Sequence, residues 1–257
     1  MAKKKVLILH GQLGMGHLMT AKALMDVFSK KYPEVSVKDA DALNFLRAPL
    51  RQGCLYFYNH IVDRIPFLFE ALYYGYNNRL IRRILERATL LFVKKAELVS
   101  FINDFSPNFI LATNPLPLQL VSLIKERNII DILSANVCTD FGFHSLWHSP
   151  DINYYFVATQ EIKKSLIDYG VNFDRIKVTG IPIRPEFSQP LNRYEILKNL
   201  SFNSSKPVLL IVGGQLRHEE LLKIVSGIRK KDGSAQFIII AGRDKILRRK
   251  LENSELK

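Results

Sequence analysis

The sequence is poor in cysteine and has no long apolar run, and each shortage excludes a class of protein. Its two cysteines, Cys54 and Cys138, can neither build a disulfide framework nor supply the paired C-x-x-C spacing of a zinc site. No stretch of 18 or more uninterrupted apolar residues occurs, which argues against a transmembrane helix. The basic start leads into a short apolar run and then glycines, so we expect no secretory signal and a cytoplasmic location.

What the sequence does have is ordinary globular composition and a large excess of positive charge. Hydrophobic residues make up 47% of the 257 residues, charged residues 24%, and the formal net charge is +13. The excess is concentrated in residues 1–100, which carry 16 basic and 8 acidic side chains, and in residues 206–257. Such a field favours an anionic partner, which means nucleic acid, a phosphorylated substrate or an anionic membrane face.

Short apolar runs alternate with helical periodicity along the chain, which predicts an α/β fold. The first apolar run, residues 5–9, leads through glycines into a helical pattern over residues 18–31. This rhythm is typical of a mostly parallel sheet covered on both faces, with ligand at the carboxyl ends of its strands. Further strands are expected at residues 35–38, 109–112, 130–137, 154–157 and 177–179.

Two prolines within residues 180–187 predict a boundary, after which the rhythm restarts. We therefore predict a first domain over residues 1–187, a linker over residues 188–205 and a second domain over residues 206–257. Two strands and two helices are too few for a complete doubly wound domain of about 100 residues. The second domain is expected to be incomplete.

The turn after the first strand is the first candidate site. Gly11, Gly14 and Gly16 follow a G-x-x-G-x-G spacing that fits neither the dinucleotide fingerprint nor the P-loop. His17 comes next, and its ordinary pKa of about 6.5 suits a general base at neutral pH. The alternative is a histidine that caps the helix or binds a loop carbonyl.

The second candidate is a polar cluster that follows the fourth strand. Asp140, His144, Trp147 and His148 lie close together in the chain. The four-residue spacing of the two histidines could hold a metal on a helix, but core or loop histidines are the preferred interpretation, since no H-E-x-x-H pattern is present. The D-x-D pair of residues 39–41 is interpreted as a solvated turn with a helix cap rather than an ion site.

The third candidate is the segment of residues 47–101, in which aromatic and basic residues are interleaved. Such composition suits helices on an anionic membrane surface, but it also suits core helices with a solvated basic face. Nucleic acid is the least favoured partner, because no helix-turn-helix, RNP-type or OB-type pattern occurs.

Four segments together resemble the monogalactosyldiacylglycerol synthase and processive diacylglycerol glucosyltransferase family. They are residues 10–17 (His-Gly-Gln-Leu-Gly-Met-Gly-His), 139–147 (Thr-Asp-Phe-Gly-Phe-His-Ser-Leu-Trp), 151–158 (Asp-Ile-Asn-Tyr-Tyr-Phe-Val-Ala) and 178–187 (Val-Thr-Gly-Ile-Pro-Ile-Arg-Pro-Glu-Phe). The resemblance covers nearly all of residues 5–250. It implies two Rossmann-like domains in the GT-B arrangement, of which the first binds a lipid acceptor at the membrane and the second a UDP-sugar.

The resemblance implies an inverting hexosyltransferase that moves a sugar from UDP-glucose or UDP-galactose to a diacylglycerol-type lipid, with no metal and no further cofactor. The expected location is the cytoplasmic face of an anionic membrane. The alternative function is a non-catalytic lipid-binding module or an inactive truncated relative.

The resemblance also implies roles for individual residues, where this sequence matches the family's motifs. His17 matches the candidate general base, and Arg184 lies in the interdomain element. The acceptor side is expected to include Gly14, Gly16, Asp140, His144 and Trp147, the donor-phosphate turn Gly213, Gly214 and Gln215, and the membrane contact Arg79, Arg82, Arg83 and Arg87.

The sequence departs from the family pattern in three places. Gln215 stands where relatives commonly carry a further glycine, and Asn114 stands where many carry histidine. The stretch that grips the sugar, ribose and uracil is expected beyond Lys257. We therefore expect either a fragment of a longer enzyme or a chain without transfer activity.

Overall fold

The computed structural model describes residues 3–58, 67, 74–212, 218–242 and 245–252. Its contacts divide the chain into two compact units, Met1–Ser188 and Gln189–Lys257. The division lies one residue beyond the end of the predicted first domain. What each unit binds stays a prediction.

The first unit alternates strands and helices, because parallel strands need long crossover connections. Its described strands are β1 (Lys5–His10), β2 (Ser36–Asp41), β3 (Phe109–Ala112), β4 (Leu133–Val137), β5 (Tyr154–Val157) and β6 (Ile176–Val178). Its described helices are α1 (Gly16–Lys31), α2 (Ala48–Tyr56), α3 (Arg79–Leu91), α4 (Lys95–Phe105), α5 (Pro115–Glu126) and α6 (Gln160–Asp168). Single 3-10 turns cover Ala42–Phe45, Ser145–Trp147, Phe173–Arg175 and Pro185–Ser188.

The six strands form one parallel sheet in the order β2-β1-β3-β4-β5-β6. The chain leaves β1 toward β2 on one side and returns to β3 on the other, so the winding direction reverses next to β1. Ligands of open α/β sheets bind outside the carboxyl ends of the strands at such a reversal. The α/β prediction is confirmed, and the topology places a site at the ends of β1 and β3.

Strand β1 is central, and its side chains alternate between two buried layers. Val6 and Ile8 pack in a cluster with Ala21 of α1. Leu7 and Leu9 point into the larger cluster on the opposite face, which also contains residues of α4, α5 and α6. Coverage on both faces explains why β1 is a continuous apolar run.

Strand β2 is longer than its predicted residues 35–38, and this corrects the interpretation of the D-x-D pair. Asp39 and Asp41 are the partners of Ile8 and His10 in the β1–β2 register, so they belong to the strand and not to a turn. The cap is confirmed, since the Asp41 carboxylate accepts a hydrogen bond from the backbone N–H of Leu43 at 3.0 Å. Asp39 lies 3.4 Å from Nε2 of the buried His10.

The helical periodicity between residues 43 and 105 corresponds to several separate elements. These include the 3-10 turn Ala42–Phe45 and the helices α2, α3 and α4. None of the helices within the described ranges combines the length and the apolar content that crossing a bilayer requires.

The second unit contains a parallel pair of strands, β7 (Val208–Val212) and β8 (Gln236–Ile240). Its described helices are α7 (Arg193–Asn199), α8 (His218–Lys231) and α9 (Lys245–Glu252). Helix α7 lies within the predicted linker, where Leu197 is buried. The side chain of Gln236 exchanges two 2.8 Å hydrogen bonds with the backbone of Asn203, which joins this segment to β8.

Candidate functional site

Three polar residues meet at the carboxyl ends of the central strands. His17 lies in the first turn of α1, Thr113 directly follows β3, and Thr139 lies two residues after β4. The parallel register aligns these ends, with Leu9 opposite Ala112 and Ala112 opposite Asn136. The site is therefore assembled by the sheet from segments about 96 and 122 residues distant from His17 along the chain.

The imidazole of His17 is held through its Nδ1 atom. The backbone carbonyl oxygen of Thr113 lies 2.9 Å from Nδ1, and Oγ1 of Thr139 lies 2.8 Å from it. A carbonyl oxygen can only accept, so the Thr113 contact is a hydrogen bond only when Nδ1 carries the proton of the neutral ring, and the Thr139 hydroxyl then accepts from the same N–H. The other nitrogen, Nε2, then carries the lone pair. This tautomer is the one that can take a proton through Nε2.

Thr113 also fixes the start of α1. Its hydroxyl donates a 3.1 Å hydrogen bond to the backbone carbonyl of His17. The N-cap residue Met15 makes no side-chain hydrogen bond to the helix. The contact to Thr113 therefore joins the backbone of His17, as well as its ring, to the end of β3.

Burial is the main influence on the pKa of His17 and lowers it below 6.5, because water no longer solvates the charged ring. Two smaller effects oppose it, the negative charge of Asp140 and the hydrogen bond to the Thr113 carbonyl. The net direction keeps the ring neutral at pH 7, which is the form that a general base needs.

Asp140 is positioned by Trp147. The indole N–H of Trp147 donates a 2.7 Å hydrogen bond to a carboxylate oxygen of Asp140, and the indole lies 6.1 Å from the His17 ring between centroids. Trp147 itself is only 2% exposed. Its backbone carbonyl accepts a 2.9 Å hydrogen bond from the side-chain amide of Asn136, at the end of β4.

We expect Asp140→Asn to lower the pKa of His17 further. The carboxylate favours the protonated ring, so removing its charge removes a contribution that raises the pKa. Asparagine can still accept from the Trp147 indole, which preserves the local packing. A ¹H–¹⁵N NMR titration of His17 measures the shift, with the exposed Asp104→Asn as control. A pKa equal in both variants, or higher in Asp140→Asn, contradicts the assignment.

His144 occupies a buried cap position. It is 2% exposed, and its Nδ1 accepts a 3.1 Å hydrogen bond from the backbone N–H of Leu146 at the start of the 3-10 turn. The ring of Tyr76 lies 6.3 Å away. His144 holds the loop that presents Asp140 and Trp147, and its predicted acceptor contact stays a prediction.

The two glycines predicted on the acceptor side differ in their surroundings. Gly14 has φ of +87°, and a Cβ there would collide with the hydroxyl of Tyr58, so this position requires glycine. Gly16 begins α1, is exposed and has open space around it. The turn therefore brings Tyr58 against the backbone that precedes His17.

Asn114 serves the fold at the end of β3. It is 5% exposed, and its side-chain oxygen accepts a 2.9 Å hydrogen bond from the backbone N–H of Leu116 at the start of α5. A Cβ at Gly11 would lie 3.0 Å from the same oxygen. The ends of β1 and β3 are in close contact here, which favours glycine at position 11.

The remaining predicted site residues are dispersed. Arg184 pairs with Glu186 at 2.9 Å and lies 5.5 Å from the centre of the Phe187 ring. The donor-phosphate residues Gly213, Gly214 and Gln215 lie outside the described residues. Their predicted roles stay predictions.

The four arginines of the predicted membrane contact lie on α3. Arg82 donates a 2.8 Å hydrogen bond to the hydroxyl of Tyr169, and Arg87 is exposed. The side chains of Arg79 and Arg83 lie outside the described residues.

No cluster of three or more histidine, cysteine or acidic residues suited to a metal occurs in the part of the chain that the structure describes. The ring of His148 is not beside a metal ligand set. It packs edge-on against Tyr169 at 4.9 Å and stacks near Tyr155 at 6.4 Å. The interpretation of this residue as a packed histidine agrees with these contacts.

Sequence reasoning did not single out the contribution of Thr113 and Thr139 to the His17 site. Thr139 begins one of the four family-like segments, and Thr113 directly follows a predicted strand. Position at the end of a parallel strand is the signal that could have identified both.

Comparison with known proteins gives the family. The family described as "Monogalactosyldiacylglycerol (MGDG) synthase" matches residues 17–183. Processive diacylglycerol beta-glucosyltransferase of Staphylococcus aureus, strain bovine RF122 / ET3-1, is 28% identical over 250 residues, which is 96% of this chain and 62% of the relative. The chain thus spans less than two thirds of the length of the curated relatives it matches.

Solved structures agree on the fold. The S. aureus MnaA–UDP co-structure superposes with a TM-score of 0.52 at 11% sequence identity. The match covers 97% of this chain and 65% of the MnaA chain. The structure of Anabaena HepE in complex with UDP-glucose has a TM-score of 0.51 at 11% sequence identity. The match covers 93% of this chain and 69% of the HepE chain. Since the family match covers well over half of the chain, the chain belongs to the monogalactosyldiacylglycerol (MGDG) synthase family.

Proposed function

We propose that the chain carries the acceptor and general-base part of a glycolipid-forming glycosyltransferase. The enzyme transfers a hexose from UDP-glucose or UDP-galactose to the hydroxyl of a diacylglycerol-type lipid. The observation that carries the proposal is the neutral His17 ring, whose Nδ1 is bound to Thr113 and whose Nε2 keeps the lone pair. Family membership and the names of the relatives support the reaction class.

In the proposed step, Nε2 of His17 takes the proton from the acceptor hydroxyl as its oxygen attacks the anomeric carbon. The new oxygen–carbon bond forms while the bond from the anomeric carbon to the diphosphate breaks, and UDP leaves with the electron pair. The transition state has oxocarbenium character, as in other glycosyl chemistry. The imidazolium that forms is stabilised by the nearby carboxylate of Asp140.

The proposed stereochemistry is inversion, because one displacement places the acceptor oxygen on the face opposite to the leaving group. The relatives are named beta-glucosyltransferases, and an α-linked UDP-glucose would give a β-glucoside by this route. The proposed reaction uses no further cofactor and no metal. The turn of Gly213, Gly214 and Gln215 is proposed to receive the diphosphate through backbone N–H groups.

The acceptor is proposed to reach the site from a membrane surface. Met15 and Phe141 are close chain neighbours of His17 and Asp140, and they are 57% and 75% exposed. Apolar side chains this exposed beside a polar site suit a substrate with acyl chains. The proposed location is the cytoplasmic face, in line with the free thiols of Cys54 and Cys138.

Helix α3 provides the proposed membrane contact. Leu80, Ile84 and Leu91 are 68%, 57% and 72% exposed, and their spacing places them on one side of the helix. Arg87, also exposed, lies between Ile84 and Leu91 on the same side. An exposed apolar stripe with a basic residue suits insertion among anionic lipids, with the arginine near the phosphates.

We expect Ile84→Asn to weaken binding to anionic vesicles by about thirtyfold, because an inserted isoleucine side chain contributes about 2 kcal/mol of apolar burial. Sedimentation with vesicles that contain phosphatidylglycerol measures the change. Ile129→Asn, at an exposed position after α5, is the matched control. Equal binding of the two variants contradicts the assignment of α3.

The transfer reaction is tested with the protein at the length that its gene encodes. Labelled UDP-glucose or UDP-galactose is offered with dioleoylglycerol in mixed micelles, and lipid-soluble label is measured. We expect a glycolipid from one donor, with the anomeric configuration opposite to that of the donor. Vesicle binding without glycolipid from either donor contradicts the proposal and favours the non-catalytic lipid-binding module.

A further inference from the structure

An open cavity of about 350 Å³ lies at the start of α2, on residues that the His17 site does not use. One side is formed by the face of α2 that carries Ala48, Arg51, Gln52 and Leu55, which are spaced as neighbours along a helix. The rest of the wall includes Asn44, Leu46 and Lys94. The volume lies at the lower end of the range of small-ligand sites, roughly 300–1,000 Å³.

The cavity wall is held in place by backbone pairing. Leu46 and Val93 form an isolated antiparallel bridge. The backbone N–H of Arg47 donates to the carbonyl of Phe92 at 2.7 Å, and that of Lys94 donates to the carbonyl of Phe45 at 2.8 Å. The segments that lead into α2 and α4 are therefore fixed to each other, and the basic side chains start from a defined backbone.

Basic residues and the N-terminus of α2 lie at this cavity. Arg47 and Lys94 occupy the N-cap positions of α2 and α4, and neither makes a side-chain capping hydrogen bond. The first turn of α2 has no acidic residue. The N-terminus of a helix already carries partial positive charge, so cations there repel it and an anion relieves the repulsion.

One acidic residue partly offsets these charges. The Glu97 carboxylate forms an ion pair with the Lys94 ammonium at 2.9 Å. Both side chains are at least one third exposed, so solvent screens the attraction between them. Arg51 adds a guanidinium to the same cavity, and Asn44 and Gln52 add side-chain amide donors. The lining is thus rich in donors and positive in charge.

The floor of the cavity adds an apolar component. Leu46 is 2% exposed and Leu55 is half-buried. The chain neighbours of the bridge on the α3 side, Leu91 and Phe92, expose apolar surface, at 72% and 36%. A ligand that combines a phosphate with adjoining apolar groups would match this lining, as would a small phosphate ester.

We infer that this cavity binds a phosphate group through Arg51 and Lys94. The guanidinium of Arg51 offers the planar pair of donors that phosphate oxygens accept. The phosphate comes either from an anionic phospholipid headgroup or from a soluble phosphate compound. No sugar transfer is involved, so the inference stands whether or not the chain transfers sugar.

The test has two arms and a matched pair of variants. In one arm inorganic phosphate is titrated against the chain, and the backbone amide signals of Ala48 and Gln52 are followed by NMR. In the other, the chain is sedimented with phosphatidylcholine vesicles that contain or lack phosphatidylglycerol. Arg51→Gln is compared with Arg127→Gln, an exposed arginine at the end of α5, and Lys94→Gln is the second cavity variant.

We expect Arg51→Gln and Lys94→Gln to weaken binding by about tenfold relative to Arg127→Gln, since each loses a charge-assisted contact. Saturable shifts of the Ala48 and Gln52 amide signals with inorganic phosphate identify a soluble ligand. Weaker sedimentation of the cavity variants with phosphatidylglycerol vesicles alone identifies a lipid headgroup. The inference is overturned if neither arm separates the cavity variants from Arg127→Gln. The amide spectra verify that each variant is folded.

Discussion

We expect His17→Ala to lower kcat for glycolipid formation by about 10²–10⁴-fold, the usual contribution of a general base. The substitution removes Nε2, which takes the acceptor proton in the proposed step. It leaves α3 and the cavity beside α2 unchanged, so vesicle binding is expected to persist. Transfer from the UDP-sugar to dioleoylglycerol in mixed micelles measures the effect.

The control for this prediction is His148→Gln. Its ring packs against Tyr155 and Tyr169 rather than against the Thr113 and Thr139 contacts of His17. We expect this variant to keep kcat within a few-fold. Full turnover in His17→Ala would show that another group accepts the proton.

The largest expected effect on stability is that of Trp147→Ala, a loss of about 3–5 kcal/mol. Trp147 is 2% exposed and belongs to the main core cluster, so alanine leaves a cavity. Total stabilities are about 5–15 kcal/mol, and the loss is therefore a large fraction of what holds the first unit folded. Urea unfolding followed by circular dichroism measures it, because the variant has lost the single tryptophan.

Trp147→Phe separates packing from hydrogen bonding. Phenylalanine fills most of the space but has no N–H for the Asp140 carboxylate, which accepts from the indole at 2.7 Å in the wild type. We expect a smaller loss of stability than in Trp147→Ala, together with a changed pKa of His17. Equal stability of the wild type and Trp147→Ala would contradict the buried position of this side chain.

Much of the fold could be predicted because the sheet is buried on both faces. Strands β3 and β5 have the bounds that their apolar runs predict, and β6 lies one residue before its predicted position. Local composition is sufficient to predict the bounds of a strand when the strand is uniformly apolar and glycine or proline follows it.

Strand β2 shows where local composition fails. The composition of its last three residues, Asp-Ala-Asp, predicts a turn. In the structure these residues pair with the end of β1, and Asp39 lies beside the buried His10. The start of β4 shows the same limit, since Ile130 and Ile132 are apolar but precede the strand. Register is set by the neighbouring strand, and a single segment does not contain that information.

The candidate site likewise has a part that the sequence predicts and a part that only the structure shows. The motif around His17 identifies the residue, but its tautomer depends on the Thr113 carbonyl, which lies 96 residues away along the chain. For α3, composition pointed to arginines as the membrane contact. The exposed stripe of Leu80, Ile84 and Leu91 became visible only once the packing of the helix was known, because an apolar pattern alone predicts a buried face equally well.

The state of the His17 ring is the most direct test of the proposed chemistry. Long-range ¹H–¹⁵N NMR spectra of the chain, at a pH above the pKa of this ring, distinguish a protonated nitrogen from one with a free lone pair. We expect Nδ1 to be protonated, where the Thr113 carbonyl accepts, and Nε2 to be unprotonated. A spectrum with the proton on Nε2 would contradict it, since that atom could then not act as the base.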